Sequence, residues 1–103
     1  MKTKKDTIPV IYRTFKAEPH ETIALFPTLP ATTDPADMMS YMHIGQHGAA
    51  YAGAVLERTR IAKPSEYADL AEELKKIGYC LKICKRITGD HGKERQSAID
   101  RIV

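Results

Sequence analysis

The chain has 103 residues, 43% hydrophobic and 28% charged, with a formal net charge of +3 at pH 7. That is enough for one globular domain without staples, and no window approaches the roughly 20 apolar residues of a membrane-spanning helix. Two cysteines are too few for a disulfide scaffold, so a reduced, cytoplasmic setting is expected.

Residues 1–7 are charged, are not followed by an apolar signal core, and are expected to fray ahead of a single domain over 8–103. Ile8 to Lys16 is rich in strand formers, with Ile11 and Phe15 on one face. A turn at Ala17 to His20 joins it to Glu21–Leu29, where Ile23, Leu25 and Leu29 alternate with Thr22, Ala24 and Thr28. The two runs predict a hairpin. Pro27 lacks the N–H a central strand donates, so pairing breaks there or this strand lies at an edge.

Pro30 to Asp37 is a loop by composition, and Met38 to Ile44 has the content of a third strand. Gly45 to Gly48 reads as a turn. Ala49 to Ala62 is ambiguous: Ala49–Glu57 suits a short helix with Tyr51 and Val55 inward, weakened by Gly53, while Val55–Ile61 is equally compatible with extended chain.

Pro64 to Thr88 is the clearest unit. Tyr67, Leu70, Ala71, Leu74 and Ile77 fall on one stripe of a 3.6-residue helix, with Glu66, Asp69, Glu72, Glu73, Lys75 and Lys76 opposite. Pro64 suits the first turn, Glu66 and the two lysines complement the helix dipole, and Gly78 is placed to end the helix. Tyr79 to Thr88 then changes to period two, with Tyr79, Leu81, Ile83 and Ile87 on one face and Cys80, Lys82, Cys84 and Arg86 on the other. The leucine stripe is expected to rest on the apolar face of that strand. Gly89 and Gly92 bracket a turn before a short helix over Lys93–Ile102, with Ala98, Ile99 and Ile102 inward. The fold class expected is α+β: an antiparallel sheet of three to four strands, one amphipathic helix across a face, and a short C-terminal helix.

Chemistry has few places to sit. Tyr41-Met-His43-Ile-Gly45-Gln46-His47-Gly48 puts two imidazoles, an amide and two glycines together. Glycines admit close backbone approach and histidines titrate near neutrality, so an anion-binding or catalytic loop is one reading. A tight turn with histidines bonded to carbonyls is the plainer one. Tyr41, His43, Gln46, His47 and Gly48 are the ligand-binding candidates, without a nucleophile that would make them a catalytic set. Gly45 opposes a helical His-x3-His zinc pair. Cys80 and Cys84, four residues apart on a strand, stand about 13 Å from each other at ~3.3 Å per residue, too far to share an ion. No metal or cofactor is expected. The helix carboxylates at 66, 69, 72 and 73 are read as solvent-facing.

Charge is unevenly placed: residues 1–56 carry five basic and five acidic side chains, residues 57–103 eleven and eight. Lys75, Lys76, Lys82, Lys85, Arg86 and Lys93 are the nucleic-acid-binding candidates, a solvated sheet face being the alternative. Apart from Tyr79, no aromatic residue interleaves with them, so base stacking is poorly served.

Ile11-Tyr-Arg13, Ile23-Ala-Leu-Phe-Pro27, Ser40 to Gly48 and Pro64-Ser-Glu-Tyr-Ala-Asp-Leu70 resemble a family of small bacterial proteins of about this length, loosely associated with mobile or accessory genetic elements. The family carries no assigned activity, so the resemblance implies no catalytic residues; it directs attention to Tyr41, His43, Gln46, His47 and Gly48. Its members often have Thr where Lys63 stands, which implies that the usual helix N-cap is missing here. The expectation is a non-enzymatic binding or interaction protein with a protein partner or a second copy of itself, the latter through an exposed strand edge. A nucleic-acid accessory protein is the second reading, and a small enzyme or ligand binder at His43–Gly48 the third.

Overall fold

The computed structural model describes residues 7–17, 21–32, 34, 36–42 and 46–102, with backbone alone for 46–52 and 102. The elements in chain order are β1 (Ile8–Phe15), β2 (Thr22–Pro30), β3 (Asp37–Met42), β4 (Gln46–Tyr51), α1 (Ala52–Arg58), β5 (Thr59–Ile61), α2 (Pro64–Ile77), β6 (Leu81–Cys84) and α3 (Gly89–Ile102). The fold is α+β. Five strands run antiparallel in the order β4-β3-β2-β1-β5, and β6 adds to β1 in parallel.

The hairpin forms as its sequence predicts, with Ile11 opposite Leu25 and Thr14 opposite Thr22. Its second strand is central, not an edge: β3 pairs along its other side, and the register shifts between Phe26 and Pro30. Of the two alternatives that Pro27 allows, the ladder breaks. The break also reverses the alternation. Leu25 lies in the core cluster with Ile11, Ile23 and Met38, whereas Phe26 and Leu29 both pack in the cluster with Val10, Tyr12, Ala24 and Tyr41. Leu29 therefore does not share a face with Ile23 and Leu25.

Those two clusters are the two faces of the sheet. Leu70 and Leu74 of α2 cover the first, joined by half-buried Tyr67 and Ala71, with the Tyr67 ring stacked on Tyr12 at 4.4 Å between centroids. The stripe thus rests chiefly on side chains of β1, β2 and β3. Tyr79 and Leu81 do join it, Tyr79 stacking on Phe26 at 5.1 Å. Ile83 is 51% exposed, and Ile87 packs into the other cluster. The expected alternation fails after Cys84 because the strand stops and the chain bends at Lys85–Arg86. Cys84, placed on the outer face by period two, sits half-buried against the second cluster beside Val55 of α1.

The ambiguous 49–62 stretch divides between both of its readings. Helix occupies Ala52–Arg58 despite Gly53, and extended chain occupies Thr59–Ile61. The turn expected at Gly45 to Gly48 is in part strand: β4 begins at Gln46, with Gly48 opposite Ser40. The C-terminal helix starts four residues earlier than its apolar spacing indicates. Thr88 Oγ1 accepts the His91 N–H at 3.2 Å and His91 Nδ1 accepts the Thr88 N–H at 3.1 Å. This reciprocal cap absorbs Gly89 and Gly92 into the first turn. Buried Arg95 then ties α3 to the carbonyl of Pro27, near the point where the β2 ladder is broken.

At the end of α2, Gly78 takes φ 121°, its N–H reaching the carbonyls of Leu74 and Lys75 while the Tyr79 N–H bonds Leu74. A side chain at 78 would meet nothing within 4 Å, so any cost of substitution is conformational. Gly78→Ala should destabilise the protein by about 1–2 kcal/mol, the penalty of positive φ for an L-residue, measured as a lower urea midpoint. Tyr12 makes the opposite case. Its hydroxyl is buried with no hydrogen-bond partner among the described residues, and burial, with Tyr67 beside it, pushes the phenol up to about 12. Tyr12→Phe should raise stability by about 1 kcal/mol at neutral pH, since the orphaned hydroxyl is removed and the ring kept. A phenol raised in the folded state contributes stability below about pH 10 that is lost as pH climbs through 12, so the Phe variant should also resist alkaline unfolding better.

Candidate functional site

The histidine-glycine segment is split by the fold. Tyr41 lies on β3, buried, and its hydroxyl donates to a carboxylate oxygen of Glu73 on α2. It therefore pins the helix to the sheet and is not a free ligand group. Gln46, His47 and Gly48 belong to β4, opposite Met42, Tyr41 and Ser40. His43, Gly45 and the side chains of 46–48 lie outside the described residues. Among the described residues, no group of three or more His, Cys, Asp or Glu is placed to hold a metal ion.

The carboxylates expected to face solvent divide. Asp69 and Glu72 do; Glu73 holds Tyr41, and Glu66 has only 20% of its side chain exposed. Glu66 is the hub of a polar cluster. It accepts Arg60 Nη1 at 2.8 Å and Nη2 at 2.5 Å, the Thr14 hydroxyl at 3.2 Å, and the Lys63 N–H at 2.8 Å. Its own backbone carbonyl accepts Thr22 Oγ1 at 3.4 Å. The capping lost with a Lys at 63 is thus partly recovered from the third helical position, where a Glu reaches back to the cap N–H. That Glu three residues after the cap was a readable signal; its partners on β1 and β5 were not. The Arg60 fork first, then the Lys63 N–H and the Thr14 hydroxyl, hold the Glu66 carboxyl down at about 2. The cluster locks α2 to β1, β2 and β5 and leaves little of the carboxylate available to a ligand.

The six cations are exposed, and Lys93 borders a different hollow from Lys85 and Arg86. Lys75 and Lys76 end α2, with Lys75 3.2 Å from Glu72. Lys82 lies on β6. Lys85 and Arg86 sit at the bend beyond it and line a notch of about 340 Å³. Lys93 borders a separate hollow of about 500 Å³ between β2 and α3, with Glu94 and Arg101.

The notch arises from topology. One edge of β1 is divided, its Arg13–Phe15 end pairing with β5 and its Ile8–Ile11 end with β6. At the junction Arg13 is held by Thr59 Oγ1 at 2.9 Å and by the carbonyls of Thr59 at 2.8 Å and Leu56 at 3.3 Å. Burial lowers the pKa of its guanidinium. Sequence reasoning missed Arg13, because a lone arginine in a strand carries no local signal; the contacts that orient it lie more than forty residues away.

Comparison with protein-family models, with curated proteins and with solved structures returns no match.

The Glu66 cluster sets an acid response. A carboxylate depressed in the folded state contributes stability above about pH 4.5 that is lost as pH falls toward 2. The gap in urea midpoint between wild type and Glu66→Gln should be widest near pH 6 and should close as the pH approaches 2. A gap independent of pH would show that the charge is not what Arg60 recognises.

Proposed function

We propose that this chain is a non-enzymatic binding module whose partner-facing surface is the side of the sheet bordered by β5 and β6. One observation carries the reading. The four large hydrophobics that the described residues expose, Leu56, Ile61, Ile77 and Ile83 at 36–51%, all belong to the two segments α1–β5 and α2–β6 that flank the same edge of β1. Ile61 shares the face of its partner Arg13, and Ile83 that of Val10, so exposed apolar side chains border this edge on both faces of the sheet. Apolar exposure beside charge is a mark of protein contact. The rim is cationic: Lys75, Lys76, Lys82, Lys85 and Arg86 lie in or beside these segments. Like charge opposes abutting this edge against its own copy, which favours an acidic partner protein over self-association. No helix among the described residues is long and apolar enough to cross a membrane. Two free thiols, Cys80 exposed and Cys84 half-buried, support a cytoplasmic setting. The resemblance to bacterial accessory-element proteins is part of the same proposal.

The exposure of all six basic candidates supports a second reading, an accessory protein that contacts nucleic-acid phosphates. Tyr79 is withdrawn from stacking on bases by its own contact with Phe26.

The readings separate experimentally. For the module, a protein retained from cell extract by wild type and by the α3 control Gln96→Glu, but lost from Ile77→Asp/Ile83→Asp, identifies the edge. Equal retention by all three, with strictly monomeric behaviour in light scattering, overturns it. For the nucleic-acid reading, binding to duplex or single-stranded oligonucleotides should fall steeply with salt and weaken in Lys82→Glu/Arg86→Glu. Undetectable binding at low salt removes it.

A further inference from the structure

We infer that the notch at the divided edge of β1 is an anchor site for an acidic, aliphatic peptide segment of a partner protein, taking a side-chain carboxylate between Arg13, Lys85 and Arg86 and an aliphatic side chain against Leu56, Ile61 and Ile87. The inference rests on the binding-module reading and gives its partner a chemistry. Its volume of about 340 Å³ lies at the lower end of the range of real binding clefts. Three of its seven lining residues are cations and four are aliphatic, with no acidic or aromatic side chain among them.

Each half of that composition selects the ligand. Arg13 is already oriented: Nε and Nη2 are committed to Thr59 and Leu56, and none of these bonds uses Nη1. A guanidinium fixed in this way has little rotamer freedom left to lose on binding, and with its Nε and Nη2 donors taken it would meet a carboxylate oxygen through Nη1 and its charge. Lys85 and Arg86, both exposed at the bend, stand at the rim where they would steer an anion inward. The aliphatic lining is as specific. Leu56 and Ile61 present 36% and 48% of their surface, which a phosphodiester backbone with its polar sugars would leave uncovered and an aliphatic side chain would bury. Without an aromatic wall there is no platform for a nucleobase. The notch therefore fits an acidic-aliphatic peptide better than a nucleic acid.

The test uses the full chain and a capped peptide, acetyl-Glu-Leu-Glu-Ile-Glu-amide, followed by amide and arginine side-chain resonances. Saturable shifts at Arg13 Nε–H, Leu56, Ile61 and residues 85–87 are expected, with no comparable response to the glutamine analogue. Lys85→Glu/Arg86→Glu, which alters two exposed side chains, should weaken the peptide at least about tenfold while leaving the thermal midpoint near wild type. Shifts spread over the surface, an equal response to the glutamine peptide, or competition only by an oligonucleotide each overturn the inference. Should a partner depend on Ile77 and Ile83 yet bind Lys85→Glu/Arg86→Glu normally, the notch is wrong while the edge stands. Peptide bound at the notch beside a partner indifferent to Ile77 and Ile83 gives the converse.

Discussion

The structure depends on β1 and β2 being buried on both faces. Neighbouring residues Val10 and Ile11, and Leu25 and Phe26, enter opposite core clusters, so the hairpin is the wall between two small cores. A two-sided sheet must be covered twice. The leucines of α2 cover one side, and Val55 with the 84–87 segment covers part of the other. Helix α3 packs along β2 with Ile99 buried, and polar ties fix the covering helices in place. Glu66 joins α2 to Thr14 and Arg60, Tyr41 reaches Glu73, and Arg95 holds α3 to the Pro27 carbonyl.

The same burial explains where the surface is incomplete. A central strand needs partners along both edges, and β1 finds the second only in two short pieces, three-residue β5 and four-residue β6, running in opposite directions. Strands this short cannot carry long apolar rows inward, and Ile61 and Ile83 are left facing out. The bend after β6 then brings Lys85 and Arg86 to the junction where Arg13 is pinned. Apolar exposure and positive charge thus meet at the edge with the least regular pairing.

The candidate site was legible only in part. Exposure of the basic residues followed from their place in the alternation and at the helix end. Their distribution did not, because residues near in sequence, such as Lys85 and Lys93, are sent to different hollows by the start of α3. Tyr41 stood out in a polar, glycine-bearing segment that suggested a ligand loop, yet its own strand buries it against α2. Arg13 gave no signal at all.

Local sequence by itself determined α2 from Pro64 to its glycine stop, the hairpin with Pro27 marking either a break or an edge, and the α+β class, since each follows from side chains within one or two turns or a few strand residues. Tertiary structure decided which surfaces those elements cover. The leucine stripe found the wide face of β1–β3, the Pro27 break moved Leu29 to the opposite core, and β6 joined β1 in parallel. Each outcome depends on pairing between residues tens of positions apart, and periodicity along one segment holds no record of its partner.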